Sequence, residues 1–446
     1  MILLNILVIG GSSPTGATGI EADIKTIAAH NFNAAVAITA IASQNTKGVQ
    51  KIFYLPKKAV EQQLESIFSD MKIDAAKIGM LGNSEIIEVV ASLLKKNKIK
   101  NLVVDPVMTA QADGSWLVER DSISQLKKLI SLATIVTPNR FEAGQLTGIK
   151  VKSIGDAKRA SEELIKLGAG ATIIKGIEGG RKVIDILYSD GKFETYSKEK
   201  LNIGTHGGGC SFSSSLSANL AKGLRIRQAF ENSERFIEKA ISKGKKIGEG
   251  IEAVDPLAEF HENSNRYVVL QNLKGALEII ESSPGVINLI PEVGMNIVYS
   301  IPDAKDIGDV AGVVGRIRKT ANSPKSLGGV EFGASTHLAR AILKMLEFDK
   351  NKRAAINIAF SEEALARLKK LKMRIAFFDR RKEPKNVKRI EGSSMSWGVE
   401  YVVKNSKSIP EVIYHSGDFG KEPMIIIFGS DSIQLAKLVR NMSKYS

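Results

Sequence analysis

The chain has 446 residues, 43% hydrophobic and 25% charged, a globular composition spread over more length than one ordinary core organises, so two domains are expected. A single cysteine excludes an internal disulfide and fits a reducing, cytoplasmic setting, and the lack of any uncharged apolar run of about 18 residues argues against a membrane-spanning helix. The formal charge of +15 lies mostly in the C-terminal part and is explained by anionic small molecules at least as well as by nucleic acid, which 6% aromatic content supports little.

The opening MILLNILVIGG has no basic n-region and runs straight into a glycine turn, so it reads as a buried strand rather than a signal peptide. Along the first half, apolar runs (NILVIGG, AAVAITAIAS, DAAKIGML, KNLVVDPVM, ATIVTPN, ATIIKGI) alternate with amphipathic patterns such as IEADIKTIAAH and EIIEVVASLLKKN. That alternation predicts a doubly wound, mainly parallel α/β sheet with helices on both faces. Ligands of such sheets bind beyond the C-terminal strand ends. The segments there carry Asp105, Asn139 and Glu142, hard oxygens suited to magnesium, and Lys175, a point charge suited to phosphate. Each alone is also a plain cap or turn residue.

GTHGGGCSFSSS completes this group. Gly207, Gly208 and Gly209 can turn successive N–H groups toward one point, and the helix predicted from Phe212, Leu216 and Leu220 adds its positive end, together making an anion hole. Cys210 falls in the first helical turn. It reads either as a small residue packed under the turn or, with the lowered thiol pKa expected of a helix start, as a thiolate base toward a substrate hydroxyl.

After GIEAVDPLAEF the pattern changes. HENSNRYVV (261–269) reads as a polar linker, which places a boundary near residue 260 and divides the chain into domains 1–260 and 261–446. The second domain begins with a helix over LQNLKGALEIIESS and mixes helices with short strands at RIAFFD, WGVEYVV and MIIIFGS, a separate α/β domain. Arg316, Arg318, Lys319 and Lys325 precede a glycine pair, and Ser335, Thr336 and His337 start an amphipathic helix. Basic side chains facing a helix N-terminus predict a phosphate or pyrophosphate site; the alternative is a solvated basic loop with a capping Ser or Thr.

The segments VIGGSSPTGATGIEADIKT, VAITAIASQNTKGVQ, IDAAKIGMLG, VVDPVM, IVTPNRFEAGQLTG, IIKG and GTHGGGCSFSSSL resemble, in order, the hydroxymethylpyrimidine and phosphomethylpyrimidine kinases of thiamine biosynthesis, a branch of the ribokinase-like superfamily. The resemblance implies two successive ATP-dependent phosphorylations of a pyrimidine. It implies that Gln44 reads the ring's nitrogen edge, that Gly11, Met80 and Val107 line the pocket, and that Lys175 holds ATP phosphates. Asp105 and Glu142 would organise Mg2+, Gly207 to Cys210 would form the anion hole, and Cys210 would be the base. The chain departs from the family pattern at Ser13, where an acid is usual, at Thr18, where a small residue is usual, and at Gly208, where a threonine is usual.

The second half is similar to the alternative thiamine-phosphate synthase domain found fused behind such kinases. The matching segments are INLIPEVGMNIVYSIP, GRIRK, SLGGVEFGASTHLARAIL, SWGVEYV and HSGDFGKEPMIIIFG. That resemblance implies coupling of hydroxymethylpyrimidine diphosphate to a thiazole phosphate, with Arg316 and His337 as the catalytic pair. Asn296, Asp418 and Lys421 are weaker candidates for substrate contacts, and each also reads as a turn or cap residue. Competing readings are a thiamine-phosphate-sensing second domain and a kinase that prefers pyridoxal-type rings. A cytoplasmic homo-oligomer with no nucleic-acid or membrane partner is expected.

Overall fold

In the computed structural model, which describes residues 3–201, 204–384, 387, 393–418 and 420–444, the apolar runs of the first half form one nine-stranded sheet. Its strands are β1 (Asn5–Ser12), β2 (Asn33–Asn45), β3 (Gly48–Tyr54), β4 (Ala75–Ile78), β5 (Leu102–Val104), β6 (Ile135–Val136), β7 (Thr172–Gly179), β8 (Lys182–Ser189) and β9 (Lys192–Glu199). Their spatial order is β3-β2-β1-β4-β5-β6-β7-β8-β9. The six strands from β2 to β7 run parallel, and the edges β3, β8 and β9 are antiparallel. The central strands read as near-continuous Val/Ile/Ala runs because helices cover both of their faces. The order reverses between β1 and β4, which opens a crevice at the C-terminal strand ends.

The antiparallel edges escaped the sequence reading because β9 (KFETYSKE) is half polar and joins β8 through Asp190 and Gly191, both at positive φ, a two-residue hairpin. The helix Gly208–Ala221 is buried through most of its length, including Ser211, Ser213, Ser214, Ser215 and Ser217. Its small side chains let it lie close against β4 and β5.

The chain divides into two compact units, Met1–Phe260 and His261–Ser446. The second holds β10 (Ile297–Ser300), β11 (Val310–Val313), β12 (Ile317–Lys319), β13 (Pro324–Ser326), β14 (Val330–Phe332), β15 (Ala354–Ala359), β16 (Ile375–Phe377), β17 (Val412–His415) and β18 (Met424–Gly429). Seven of them form a sheet in the order β14-β11-β10-β15-β18-β17-β16, antiparallel except for β16 with β17, while β12 and β13 pair separately.

Two expectations change here. The segment read as a linker lies inside the helix Ala258–Glu281, whose buried Val269, Leu273, Ala276 and Ile280 recur at helical spacing while Tyr267 and Val268 face outward. WGVEYVV, read as a strand, belongs to the helix Ser393–Asn405, in which Met395, Val399 and Val402 are buried. A seven-residue window was too short to show that period of 3.6. Among the described residues, no helix is long and apolar enough to cross a membrane.

Candidate active sites

The crevice of the first unit holds a cavity of about 410 Å³. Gly11, Gln44, Met80 and Val107 line one part of it, and Asp105, Glu142, Lys175 and Gly207 to Cys210 line the rest. Sequence-distant residues meet there because Gly11, Gln44, Met80, Asp105, Val107 and Lys175 lie in or just past parallel strands, and the turn before the helix Gly208–Ala221 reaches the same crevice. Gly11 and Met80 touch closely enough that a Cβ on Gly11 would lie 3.0 Å from the Met80 sulfur. Gln44 donates from Nε2 to Ser13 Oγ at 2.5 Å and to Thr18 Oγ1 at 2.7 Å, so two of the three departures from the family pattern converge on one amide.

Asp105 is buried and crowded with donors: Lys175 Nζ at 3.1 Å, Thr137 Oγ1 at 3.2 Å and Ser213 Oγ at 3.2 Å. Asn139, expected to offer a free oxygen, instead caps the helix Arg140–Thr147. Its side chain accepts from Glu142 N, and its own N–H donates to Glu142 Oε2 at 2.8 Å. Glu142 Oε1 also accepts from Met108 N at 3.3 Å. Burial, with the Asp105 charge beside it, pushes Glu142 up to about 7. Two neighbouring carboxylates form a donor set that suits a divalent cation, and Mg2+ is commonly held by one or two carboxylates plus substrate phosphates.

The glycine turn offers fewer free donors than its sequence suggests. Gly207 is left-handed (φ 86°), and a Cβ there would fall 1.9 Å from the Ala17 carbonyl oxygen, so only glycine fits. Gly208 does not supply a free donor as expected, because its N–H closes onto Thr205 O at 2.8 Å. The donors left at this helix start are the N–H groups of Gly209 and Cys210, which have no intrahelical acceptor. Gly209 lies against the charges, since a Cβ on it would sit 3.7 Å from Lys175 Nζ and 3.8 Å from Asp105 Oδ2.

Cys210 departs from expectation in its acidity. Burial pushes the thiol up to about 11, and the Lys77 charge and a hydrogen bond from the Gly19 backbone only partly oppose this. Desolvation of a thiolate outweighs the helix terminus.

The sequence reading missed Asp23 and Lys77, which also line the cavity. Their side chains are 1% exposed and paired at 2.8 Å, and Ser214 Oγ donates to Asp23 at 2.7 Å. Burial by itself would release the Lys77 proton; the Asp23 carboxylate, with Cys210 and Asp105 nearby, overrides this and holds the ammonium above its usual range. The available signal was a lysine in a strand that is otherwise wholly apolar. His206 was missed too: it lines the cavity, is 3% exposed, and neither ring nitrogen has a partner among the described residues.

The second unit has a cavity of about 980 Å³ lined by Arg316, Arg318 and His337. Lys319 and Lys325 are exposed and are not among its lining residues. Arg316 Nη1 donates to Val293 O at 2.6 Å and Arg318 Nη1 to Glu292 O at 3.0 Å, while the Glu422 carboxylate accepts from the N–H groups of both 292 and 293. Arg316 has φ 69° directly after Gly315 at φ 70°. A non-glycine residue held there is a local strain of the kind that gathers at functional sites. His337 is exposed at the start of the helix Thr336–Leu346, and Ser335 before it makes no side-chain cap bond.

The weaker candidates divide. Asn296 lines the cavity while its amide is bonded to Val313 through both Nδ2 and Oδ1. Asp418 and Lys421 close a tight turn through their backbones, and Lys421 lines the cavity.

A mainly parallel sheet whose crevice is lined by a glycine turn at a helix start defines a kinase of the ribokinase-like class, joined to a second α/β unit. Residues 13–255 match the phosphomethylpyrimidine kinase family and residues 272–441 the thiamine-phosphate synthase ThiN family. The bifunctional thiamine biosynthesis protein ThiDN of Methanocaldococcus jannaschii is 31% identical over 446 residues, 98% of this chain and 98% of that one. The chain belongs to the phosphomethylpyrimidine kinase family, in the two-domain form that also carries a ThiN synthase domain. The hydroxymethylpyrimidine/phosphomethylpyrimidine kinase of Haemophilus influenzae is 41% identical over 252 residues, 55% of this chain and 93% of its own. The pyridoxal kinase of Staphylococcus aureus, solved with AMP-PCP and pyridoxal, superimposes with a TM-score of 0.54 at 33% identity, covering 58% of this chain and 95% of that one.

Proposed function

We propose that the chain makes thiamine phosphate in two stages. The first unit phosphorylates 4-amino-5-hydroxymethyl-2-methylpyrimidine and then its phosphate with ATP, and the second couples the resulting diphosphate to hydroxyethylthiazole phosphate with release of pyrophosphate. The observation that carries the first stage is the single cavity in which Gln44, Lys175, Asp105, Glu142 and the Gly207–Cys210 turn meet.

In this reading the pyrimidine lies against Gly11, Met80 and Val107. The Gln44 Oε1 faces its exocyclic amine, because Nε2 is engaged by Ser13 and Thr18. The substrate hydroxyl oxygen attacks the γ-phosphorus, its proton passes to the Cys210 thiolate to give the thiol, and the bond to the β-phosphate oxygen breaks. The N–H groups of Gly209 and Cys210 and the charge of Lys175 stabilise the transferring group. Asp105 and Glu142 would hold Mg2+, which neutralises charge on the phosphate oxygens when bound.

In the second unit, loss of diphosphate from the pyrimidine leaves a ring-stabilised cation that the thiazole nitrogen captures. A C–O bond breaks and a C–N bond forms. Arg316 and Arg318 bind phosphoryl oxygens, and His337 donates to a departing or resident phosphate.

Mass spectrometry of the purified chain with ATP, Mg2+, hydroxymethylpyrimidine and thiazole phosphate should show thiamine phosphate. Cys210→Ala should lose pyrimidine diphosphate formation by about 10² or more, and His337→Ala should accumulate the diphosphate. Absence of any pyrimidine diphosphate from the wild-type chain rejects the kinase reading. With the thiol at about 11, roughly one in 10⁴ is ionised at pH 7, so kinase kcat/KM should climb with pH toward 10, and that slope should vanish in Cys210→Ala.

A further inference from the structure

The second cavity has another wall, built from residues to which the reading above gives no role. Strands β16 and β17 run parallel, and Phe378 N donates to Tyr414 O at 3.1 Å, which sets the segment after β16 beside the end of β17. Phe378 packs against the His415 ring at a centroid distance of 5.2 Å, and Arg380 follows two residues later. Arg380 and His415 both line the cavity, although Arg380 is only 8% exposed and His415 only 2%.

The Arg380 side chain makes no hydrogen bond and no ion pair among the described residues, and its Nε is buried without a partner. Burial pulls its pKa below the usual range, against the opposing charges of Glu383 and Asp418. A guanidinium carries five donors, and one such as Nε that is buried without a partner costs stability unless a ligand completes it. His415 Nδ1 accepts from Gly417 N at 3.2 Å, so in the neutral ring the proton sits on Nε2, which makes no hydrogen bond among the described residues. Burial, with the charges of Arg380 and Lys421, holds His415 down to about 4, which leaves it a neutral N–H donor.

Arg316 and Arg318 already spend donors on the carbonyls of Val293 and Glu292. A coupling of a diphosphate with a phosphate monoester brings two multiply charged anions into one cavity, more charge than those two arginines neutralise. We propose that Arg380, with His415 Nε2–H beside it, is a phosphoryl-anion site of the second unit that holds one of the two phosphorylated substrates. This rests on the synthase reading for the identity of the substrate and not for the existence of the site.

The test is calorimetric titration of inorganic pyrophosphate into the full chain and its Arg380→Met, Arg380→Lys and His415→Phe variants, with thermal melting of each. Arg380→Met should weaken pyrophosphate by about tenfold or more, and Arg380→Lys should recover part of the affinity. A rise in KM for the pyrimidine diphosphate alone assigns the site to that substrate, and a rise for thiazole phosphate alone assigns it to the other. Unchanged anion affinity and unchanged KM values, or a lowered melting temperature with affinity intact, overturn the proposal. Pyrophosphate binding that weakens in Arg380→Met, in a chain whose wild type forms no thiamine phosphate, would leave this site standing and remove the synthase reading.

Discussion

Lys77→Met should destabilise the N-terminal unit by about 3–5 kcal/mol, read as a lowered urea midpoint of that unit's transition, because it leaves the Asp23 carboxylate buried and unpaired. Both side chains are 1% exposed, so water cannot take the place of the lost partner. Adding Asp23→Asn to Lys77→Met should recover a large part of that loss, since the asparagine keeps an acceptor for Ser214 without a charge. Equal destabilisation in the single and double variants would show that packing, not charge, accounts for the effect. A buried pair of this kind contributes little net stability over an apolar replacement, so its place beside Cys210 fits a role in the site more than one in the fold.

Gly207→Ala should lower kinase kcat/KM by about 10² or more while leaving the second-stage activity of the same chain unchanged. The added methyl would meet the Ala17 carbonyl at 1.9 Å and force a residue with a Cβ to hold φ 86°. The turn must then move, and the N–H groups of Gly209 and Cys210 move with it. Gly208→Ala is the control. Its Cβ would meet nothing nearer than 3.7 Å, and its N–H already serves the turn, so activity should stay within a few fold. Equal losses in both variants would contradict the assignment of the turn's donors.

Much of the first unit was legible. The order of apolar runs and amphipathic patterns specified the parallel core of the sheet, and ligand-binding segments follow its strands for a topological reason that needs no coordinates. Asp105, Glu142 and Lys175 were found this way, Gly207 to Cys210 by their glycine run before a helix, and all share one cavity. The edges β8 and β9 were not, because their half-polar pattern resembles a surface loop until pairing supplies the partner. In the second unit, Val399 and Val402 looked like strand residues, and helical burial emerged only when Met395 was counted with them.

The sequence by itself determined which chemical groups the chain owns and which strand ends present them. Only the tertiary structure decided their electrostatic state and their free valences. Cys210 stands at a helix start, which favours a thiolate, yet burial overrides that position and raises the thiol to about 11. Gly208 belongs to the glycine run, yet its N–H is consumed by Thr205. Arg380 and His415 are 35 residues apart and carry no motif, and the pairing of β16 with β17 alone places them on one wall. Desolvation and hydrogen-bond satisfaction depend on every neighbour in space, and a linear pattern records only neighbours along the chain.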